Sequence, residues 1–389
     1  MLSRLPCALP SPLQSSIQRA TDSMLALLRA RGWREEPLPS IGPLGDISGH
    51  AASCAWSILG IEKYLGMADA ELRIAYFPSL SLTNDSTKTN ALVEFDPSLA
   101  EDVVVIGGRR AEGRARERVI AMVNAFRARF GITARVRIAT ENIFKGGVSG
   151  KGLGTSAAAG AALAHALIGA ALPGSAANRR LLGIAARVLA GSATRSAAGG
   201  FALWPSHAGY LSHPDDSYGI RVDDGKIDLR LVVVPIPQAT STEDAHAAAV
   251  RSPHYAEWAR RKVRAVPALL RAVLARDVEA IGRHAEQDSV WLNRILTSGG
   301  GFDNWQRETR LMIELVRGMR RRGLLAYFSI DTGPSVAIIT NPHDAEPIRS
   351  ELQAALPASQ IFISHIAGPP EKLTGDAEGK LRAQLEAAT

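Results

Sequence analysis

The sequence predicts a mixed α/β protein built as two domains. Short strand-like runs alternate with helical periodicities from about residue 45 to the carboxyl end. A chain of 389 residues is long enough to bury a large core and to divide. Its 46% hydrophobic and 21% charged residues are the balance of a soluble globular protein. No run approaches the roughly 18 apolar residues of a membrane span. Cys7 and Cys54 are too few for a disulfide framework or a Cys-rich zinc site, which suits a reducing, cytoplasmic setting.

The elements follow in order. Residues 1–44 read as an amino-terminal extension, with one helix over 16–31 that keeps Leu and Met on one face. "CAWSILGI" predicts a buried strand, and "SLSLTND", "NALVEF" and "DVVVIGG" predict short strands bounded by turn residues. "RERVIAMVNAFRARFG" has helical spacing and ends on a glycine. "ARVRIATEN" alternates as a strand does. A second helix is expected across "NRRLLGIAARVLAGSATRS", then a strand pair in "GGFALW" and "HAGYLSH". "LRLVVVPIP", residues 229–237, predicts a buried strand that opens the second domain. Long helices are expected over 254–276, 277–298 and 303–322. "LLAYFSIDTGPSVAIIT" predicts two strands around a Thr-Gly-Pro turn, with Asp331 at the tip. A helix over 343–356, a strand in "IFISHI" and a tail complete the chain. The divisions are therefore 1–44, 45–228 and 229–389.

One stretch carries chemistry on its face. In "SGKGLGTSAAAGAAL", residues 149–163, a Gly-rich turn runs into a small-residue helix. The first N–H groups of a helix have no internal partner, and the helix dipole points its positive end at them, so an anion fits there. Lys151 adds a mobile charge, and Thr155 or Ser156 can cap the helix. A helix this small also suits close packing, and the residues alone leave both readings open. The stretch is not a Walker loop, because no Gly-Lys-Ser/Thr closes it.

Other classes fall away. The net charge of +7 is largely Arg spread along helical segments, without aromatic interleaving, so nucleic acid is not expected as a partner, and with no long apolar run neither is a membrane. The nine histidines show no ligand spacing.

Further stretches agree with the Gly-rich loop. "GLGTSAAAGAAL" resembles the phosphate loop of the GHMP kinase superfamily. "AGSATRSAAGGFALW" (190–204), "IDTGPSVAI" (330–338), "IEKYLG" (61–66) and "SLSLTNDSTKT" (79–89) resemble, in order and spacing, motifs of the mevalonate diphosphate decarboxylase family. The resemblance implies an α+β GHMP kinase fold, with a ribosomal-S5-like amino-terminal domain, a ferredoxin-like carboxy-terminal domain and a site between them.

It also implies a chemistry. ATP, with Mg²⁺, phosphorylates the tertiary hydroxyl of a phosphorylated mevalonate, and phosphate and carbon dioxide then leave to give an isoprenoid precursor. By that resemblance Asp331 takes or orients the hydroxyl proton, Arg195 pairs with the substrate carboxylate, and Lys63 supplies fixed positive charge. Tyr64, Ser192, Arg195 and Ser196 contact substrate. Lys151, Gly152, Gly154, Thr155 and Ser156 hold the ATP phosphates, with the Ser156 hydroxyl on Mg²⁺. Homodimers are common in such a family.

This chain departs from the family's motifs: Met67 stands where the family has Lys, Leu65 where it has Trp, and Ala190 where it has Ser. The resemblance places Met67 and Ala190 at the tail-phosphate end. Losing a Lys and a hydroxyl costs about 1–3 kcal/mol of binding each. That favours mevalonate 5-phosphate over the 5-diphosphate. A 3,5-bisphosphate decarboxylase, a mevalonate 3-kinase and a non-catalytic binding protein of the same fold are the competing readings. Lys88, Lys145 and Lys151 are the cations available to compensate.

Overall fold

The computed structural model describes residues 9–147, 153–207, 214–237, 242–300 and 303–388. Helix α1 (Ser11–Ala30) buries Leu13, Ile17, Met24 and Leu28, which recur at helical spacing, and packs against a helix of the second half of the chain. Leu9, Leu13, Ile17, Met24 and Leu28 of the expected extension thus join the core. Strands β1 (Gly49–Glu62), β2 (Met67–Asp69), β3 (Ile74–Ala75) and β4 (Ser79–Asp96) follow. "SLSLTND" and "NALVEF" are two halves of the one long strand β4. Then come β5 (Val103–Ile106), β6 (Arg109–Arg110), α2 (Gly113–Phe130) and β7 (Arg135–Phe144). Gly131 ends α2 in the left-handed conformation, as its position predicts.

Helix α3 (Thr155–Ala171) lies on β1 and β4. Its lack of bulk is used: a Cβ at Gly160 would stand 2.6 Å from the Ala193 Cβ, and one at Gly169 2.9 Å from that of Ala51. The second helix expected here is two, α4 (Arg179–Leu189) and α5 (Ala193–Ala198), with the break at 190–192. Strand β8 (Phe201–Trp204) pairs with β9 (Ile220–Arg221); of the expected partner "HAGYLSH", residues 208–213 lie outside the described residues.

Strand β10 (Arg230–Val234) begins the second sheet. Helix α6 (Thr242–Arg251) was not expected, since its run of Ala carries little periodicity. Helices α7 (Tyr255–Ala275), α8 (Val278–Gly300) and α9 (Arg307–Arg321), strands β11 (Tyr327–Ser329) and β12 (Val336–Thr340), α10 (Pro342–Ala355) and β13 (Phe362–His365) follow the predicted order. The tail is ordered as β14 (Glu371–Lys372) and α11 (Asp376–Ala388), and it returns to the first sheet.

The architecture is α+β. An eight-stranded sheet runs β14-β1-β4-β7-β5-β6, with β8 and β9 continuing from β4, and it is antiparallel except at β5–β7. A four-stranded antiparallel sheet runs β11-β12-β10-β13. The two meet at the end of β1 and at the start of β4, where Asn84 bridges to Ile366. Helix α8 touches β1 of one sheet and β11 and β12 of the other. That seam positions the site.

Candidate functional site

A cavity of about 350 Å³ opens along the seam. Lys63, Tyr64, Gly154, Thr155, Ser156, Ser192, Arg195 and Asp331 all line it, so most of the predicted residues meet in one place. Ser196 does not reach the cavity: its hydroxyl is fully buried and donates to the Trp56 carbonyl at 2.6 Å. Lys151 and Gly152 lie outside the described residues.

Asp331 sits just beyond β11. Its carboxylate does not cap its own turn. Oδ2 accepts the Gly60 N–H at 3.2 Å, and the Asp331 carbonyl is fixed by the Asn304 side-chain amide at 2.8 Å. Oδ1 stands 3.8 Å from the Lys63 ammonium, too far for a hydrogen bond. Burial pushes the Asp331 carboxyl above the usual carboxylate range, and the charge of Lys63 and the Gly60 N–H only partly offset it. Burial likewise lowers the Lys63 ammonium, against the pull of Asp331 and Asp288. Both groups are thus shifted toward neutrality, as expected of a loose pair taken largely out of water.

Lys63 directly follows β1 and is 5% exposed. Its ammonium donates to Ser289 Oγ at 3.2 Å and Ser329 Oγ at 3.1 Å, and its backbone N–H donates to Asp288 Oδ2 at 2.7 Å. Ser329 Oγ in turn donates to the Gly60 carbonyl, so the second sheet grips the end of β1. Gly60 allows this approach. A Cβ there would stand 2.7 Å from Lys63 Cγ and 2.9 Å from Asp331 Oδ1.

Arg195 lines the cavity and is buried. It is 3% exposed, yet its Nε and Nη1 make no hydrogen bond among the described residues. Its guanidinium stacks 5.1 Å from the Tyr64 ring centroid. A buried guanidinium without an acid is costly, and an incoming carboxylate would supply two acceptors.

Helix α3 points its amino end at the same cavity. Its N-cap is Gly154, at φ 69°, rather than Thr155 or Ser156. A Cβ at Gly154 would meet the Ile58 carbonyl oxygen at 2.4 Å, so only glycine fits. Among the described residues no side chain caps the helix, and its amino end, with Thr155 and Ser156, faces the cavity, where an anion fits. Phosphate cradle and close packing, open alternatives in the sequence, are compatible uses of one helix.

Sequence reasoning missed several groups. Gly60, Ser289 and Ser329 hold the reacting corner, and only Gly60, a glycine inside a strand, left a signal. Met67 and Ala190 do line the cavity. Among the cations named as compensating, Lys145 is tied to Asp85 at 2.7 Å, and neither it nor Lys88 lines the cavity. Arg73, Arg118 and His246 do.

Residues 55–218 match the family described as diphosphomevalonate decarboxylase-like N-terminal domain. A phosphomevalonate decarboxylase of Haloferax volcanii is 34% identical over 327 residues, 83% of this chain and 97% of the relative. This chain belongs to the diphosphomevalonate decarboxylase-like family. A mevalonate 3,5-bisphosphate decarboxylase of Thermoplasma acidophilum is 28% identical over 84% of this chain and 79% of the relative. The crystal structure of mevalonate diphosphate decarboxylase from Staphylococcus aureus superimposes with a TM-score of 0.76 at 25% identity, covering 84% of this chain and 99% of that one. The fold is accordingly the α+β GHMP kinase fold expected, and the chain is an enzyme of the decarboxylase type. Among the described residues no helix is long and apolar enough to cross a membrane, and no cluster of three His, Cys, Asp or Glu could hold a metal ion.

Proposed function

We propose that this enzyme converts mevalonate 5-phosphate to isopentenyl phosphate, with loss of carbon dioxide. The observation that carries the reading is Arg195: a buried, unpaired guanidinium facing the same cavity as Asp331 and Lys63. Its planar fork takes the substrate carboxylate bidentately and turns the C–C bond toward the reacting carbon.

The uncapped end of α3, with Gly154, Thr155 and Ser156, fits nucleotide phosphates, and Lys151 and Gly152 precede it in the chain. The Ser156 hydroxyl suits Mg²⁺, for which the described residues offer no cage of their own. ATP with Mg²⁺ supplies, when bound, the phosphoryl group that makes the tertiary hydroxyl a leaving group. Asp331 accepts the proton of that hydroxyl, and Lys63 neutralises charge beside it. Tyr64 and Ser192 flank the substrate. When the C–C bond to the carboxylate breaks, its electron pair forms the alkene and the tertiary C–O bond opens. Arg195 holds the departing carboxylate in line.

The reading includes the division at 45–228 and 229–389, a cytoplasmic setting and a homodimer, the last checked by sedimentation. The deciding experiment offers mevalonate, its 5-phosphate, its 5-diphosphate and its 3,5-bisphosphate, each with and without ATP, and follows carbon dioxide. The 5-phosphate should turn over only with ATP. It should exceed the 5-diphosphate at least tenfold in kcat/KM, about 1.4 kcal/mol. Release from the bisphosphate alone, without ATP, would replace this reading with a bisphosphate decarboxylase.

A further inference from the structure

The cavity lining carries more positive charge than the reaction uses. Asp331, Lys63 and Arg195 share an electrostatic corner: the charge of Asp331 acts on both cations. Tyr64 separates that corner from the rest. The Arg195 guanidinium lies over its ring, and the His246 imidazole lies 5.6 Å from the same ring. Arg73 lines the same cavity, and its charge acts on Tyr64 and His246.

Arg73 lies between β2 and β3, a two-stranded ribbon next to the Lys63–Tyr64 segment. Its backbone is held at φ 54°, a conformation that non-glycine residues seldom adopt. Two acids lie nearby in sequence. Asp69, however, spends Oδ1 on the Leu72 N–H at 2.7 Å, and neither Asp69 nor Glu71 pairs with Arg73. Half-buried and lining the cavity, Arg73 makes no hydrogen bond or ion pair with the described residues.

His246, on α6, also lines the cavity. Its Nδ1 accepts the Gly66 N–H at 3.0 Å, so the ring proton belongs on Nε2, the atom left to donate. Burial, with the nearby charge of Arg73, pushes the imidazole down to about 4, so it is a neutral donor at physiological pH. Met67, where the family has a Lys, and Ala190, where it has a Ser, line the cavity too, and Met67 Cε and the Tyr64 hydroxyl both lie close to Gly191.

We propose that Arg73, with the Nε2–H of His246, recognises the 5-phosphate monoester of the substrate and so replaces the cation lost at Met67. This rests on reading the cavity as a phosphorylated-mevalonate site. A guanidinium fork and one neutral donor match a single phosphate dianion. Because the tail phosphate does not react, these groups act on binding rather than on the chemical step.

The test is calorimetric titration of the full-length enzyme, and of its Arg73→Gln and Arg73→Lys variants, with mevalonate 5-phosphate and with unphosphorylated mevalonate. Steady-state kinetics on the 5-phosphate run in parallel. Arg73→Gln should weaken 5-phosphate binding at least tenfold and raise its KM to match, with kcat within threefold. Affinity for unphosphorylated mevalonate should not change. Arg73→Lys should recover part of the loss, which a merely misfolded variant would not show. Wild-type enzyme that binds the 5-phosphate no better than Arg73→Gln overturns the assignment while leaving the decarboxylase reading intact. Wild-type enzyme that neither binds nor turns over any mevalonate overturns both.

Discussion

Asp331 is poised rather than neutralised. It accepts one backbone N–H, faces a lysine it does not touch, and is held by burial above the usual carboxylate range. Such a carboxylate keeps its affinity for a proton, which is what a base working on an alcohol needs. Asp331→Asn preserves shape and removes that basicity. Turnover of mevalonate 5-phosphate should fall at least about a hundredfold, within the range for general acid–base groups. Thermal unfolding should not drop, since the substitution also removes a half-buried charge that its lysine only partly offsets. A variant at near wild-type rate would end the assignment of Asp331 as base.

At the scale of elements, the site depends on how closely the end of β1 approaches the β11–β12 connection. Gly60 sets that distance. A methyl group there meets Lys63 Cγ and Asp331 Oδ1 inside 3.0 Å, so one of the two must move. We expect Gly60→Ala to lower kcat at least tenfold. The stability cost should be about 1–3 kcal/mol, the usual range for overpacking. Gly42→Ala, with open space at its Cβ, is the matched control and should change neither. Equal activity in the two variants would show that the corner tolerates displacement.

These elements were unequally legible in the sequence. Strands such as β10 and helices such as α2 announced themselves by apolar runs and periodicity. Asp331 was placed by the two strands around it, and Arg195 by its motif. The supports were not legible, because they come from residues far apart in the chain. Gly60 meets Asp331 across 271 positions, and Lys63 meets Ser289 across 226. Arg73 is one arginine in an arginine-rich chain, and only the ribbon that turns it into the cavity separates it from a surface residue. Helix α1 read as an extension because its partner, α7, comes more than two hundred residues later.

On the scale of the whole molecule, a buried charged network lies directly behind Lys63. Glu62, at the end of β1, is fully buried. It accepts from Arg261 at 2.7 and 3.0 Å, from Lys262 at 2.7 Å and from His284 Nδ1 at 2.9 Å. Asp288 on α8 accepts from Lys262, from Trp258 Nε1 at 3.0 Å and from the Lys63 backbone. The network therefore ties the first sheet to α7 and α8. Removing one member of such a cluster leaves an uncompensated charge in a dry interior, which costs about 3–5 kcal/mol. Glu62→Gln should lose about that much in urea unfolding at neutral pH. The pH dependence carries its own sign. Lys262, His284 and Arg261 hold the Glu62 carboxyl far below its ordinary value, against its burial. A depressed carboxyl stabilises the fold fully above the unfolded-state value, about 4.3, and loses that stabilisation as pH falls further. The part of the gap between wild type and Glu62→Gln that the carboxyl itself supplies should therefore shrink as pH falls below about 4.3. A gap that stays constant down to pH 3, or that never appears at neutral pH, would mean that the ionised carboxylate of Glu62 is not what ties these elements together.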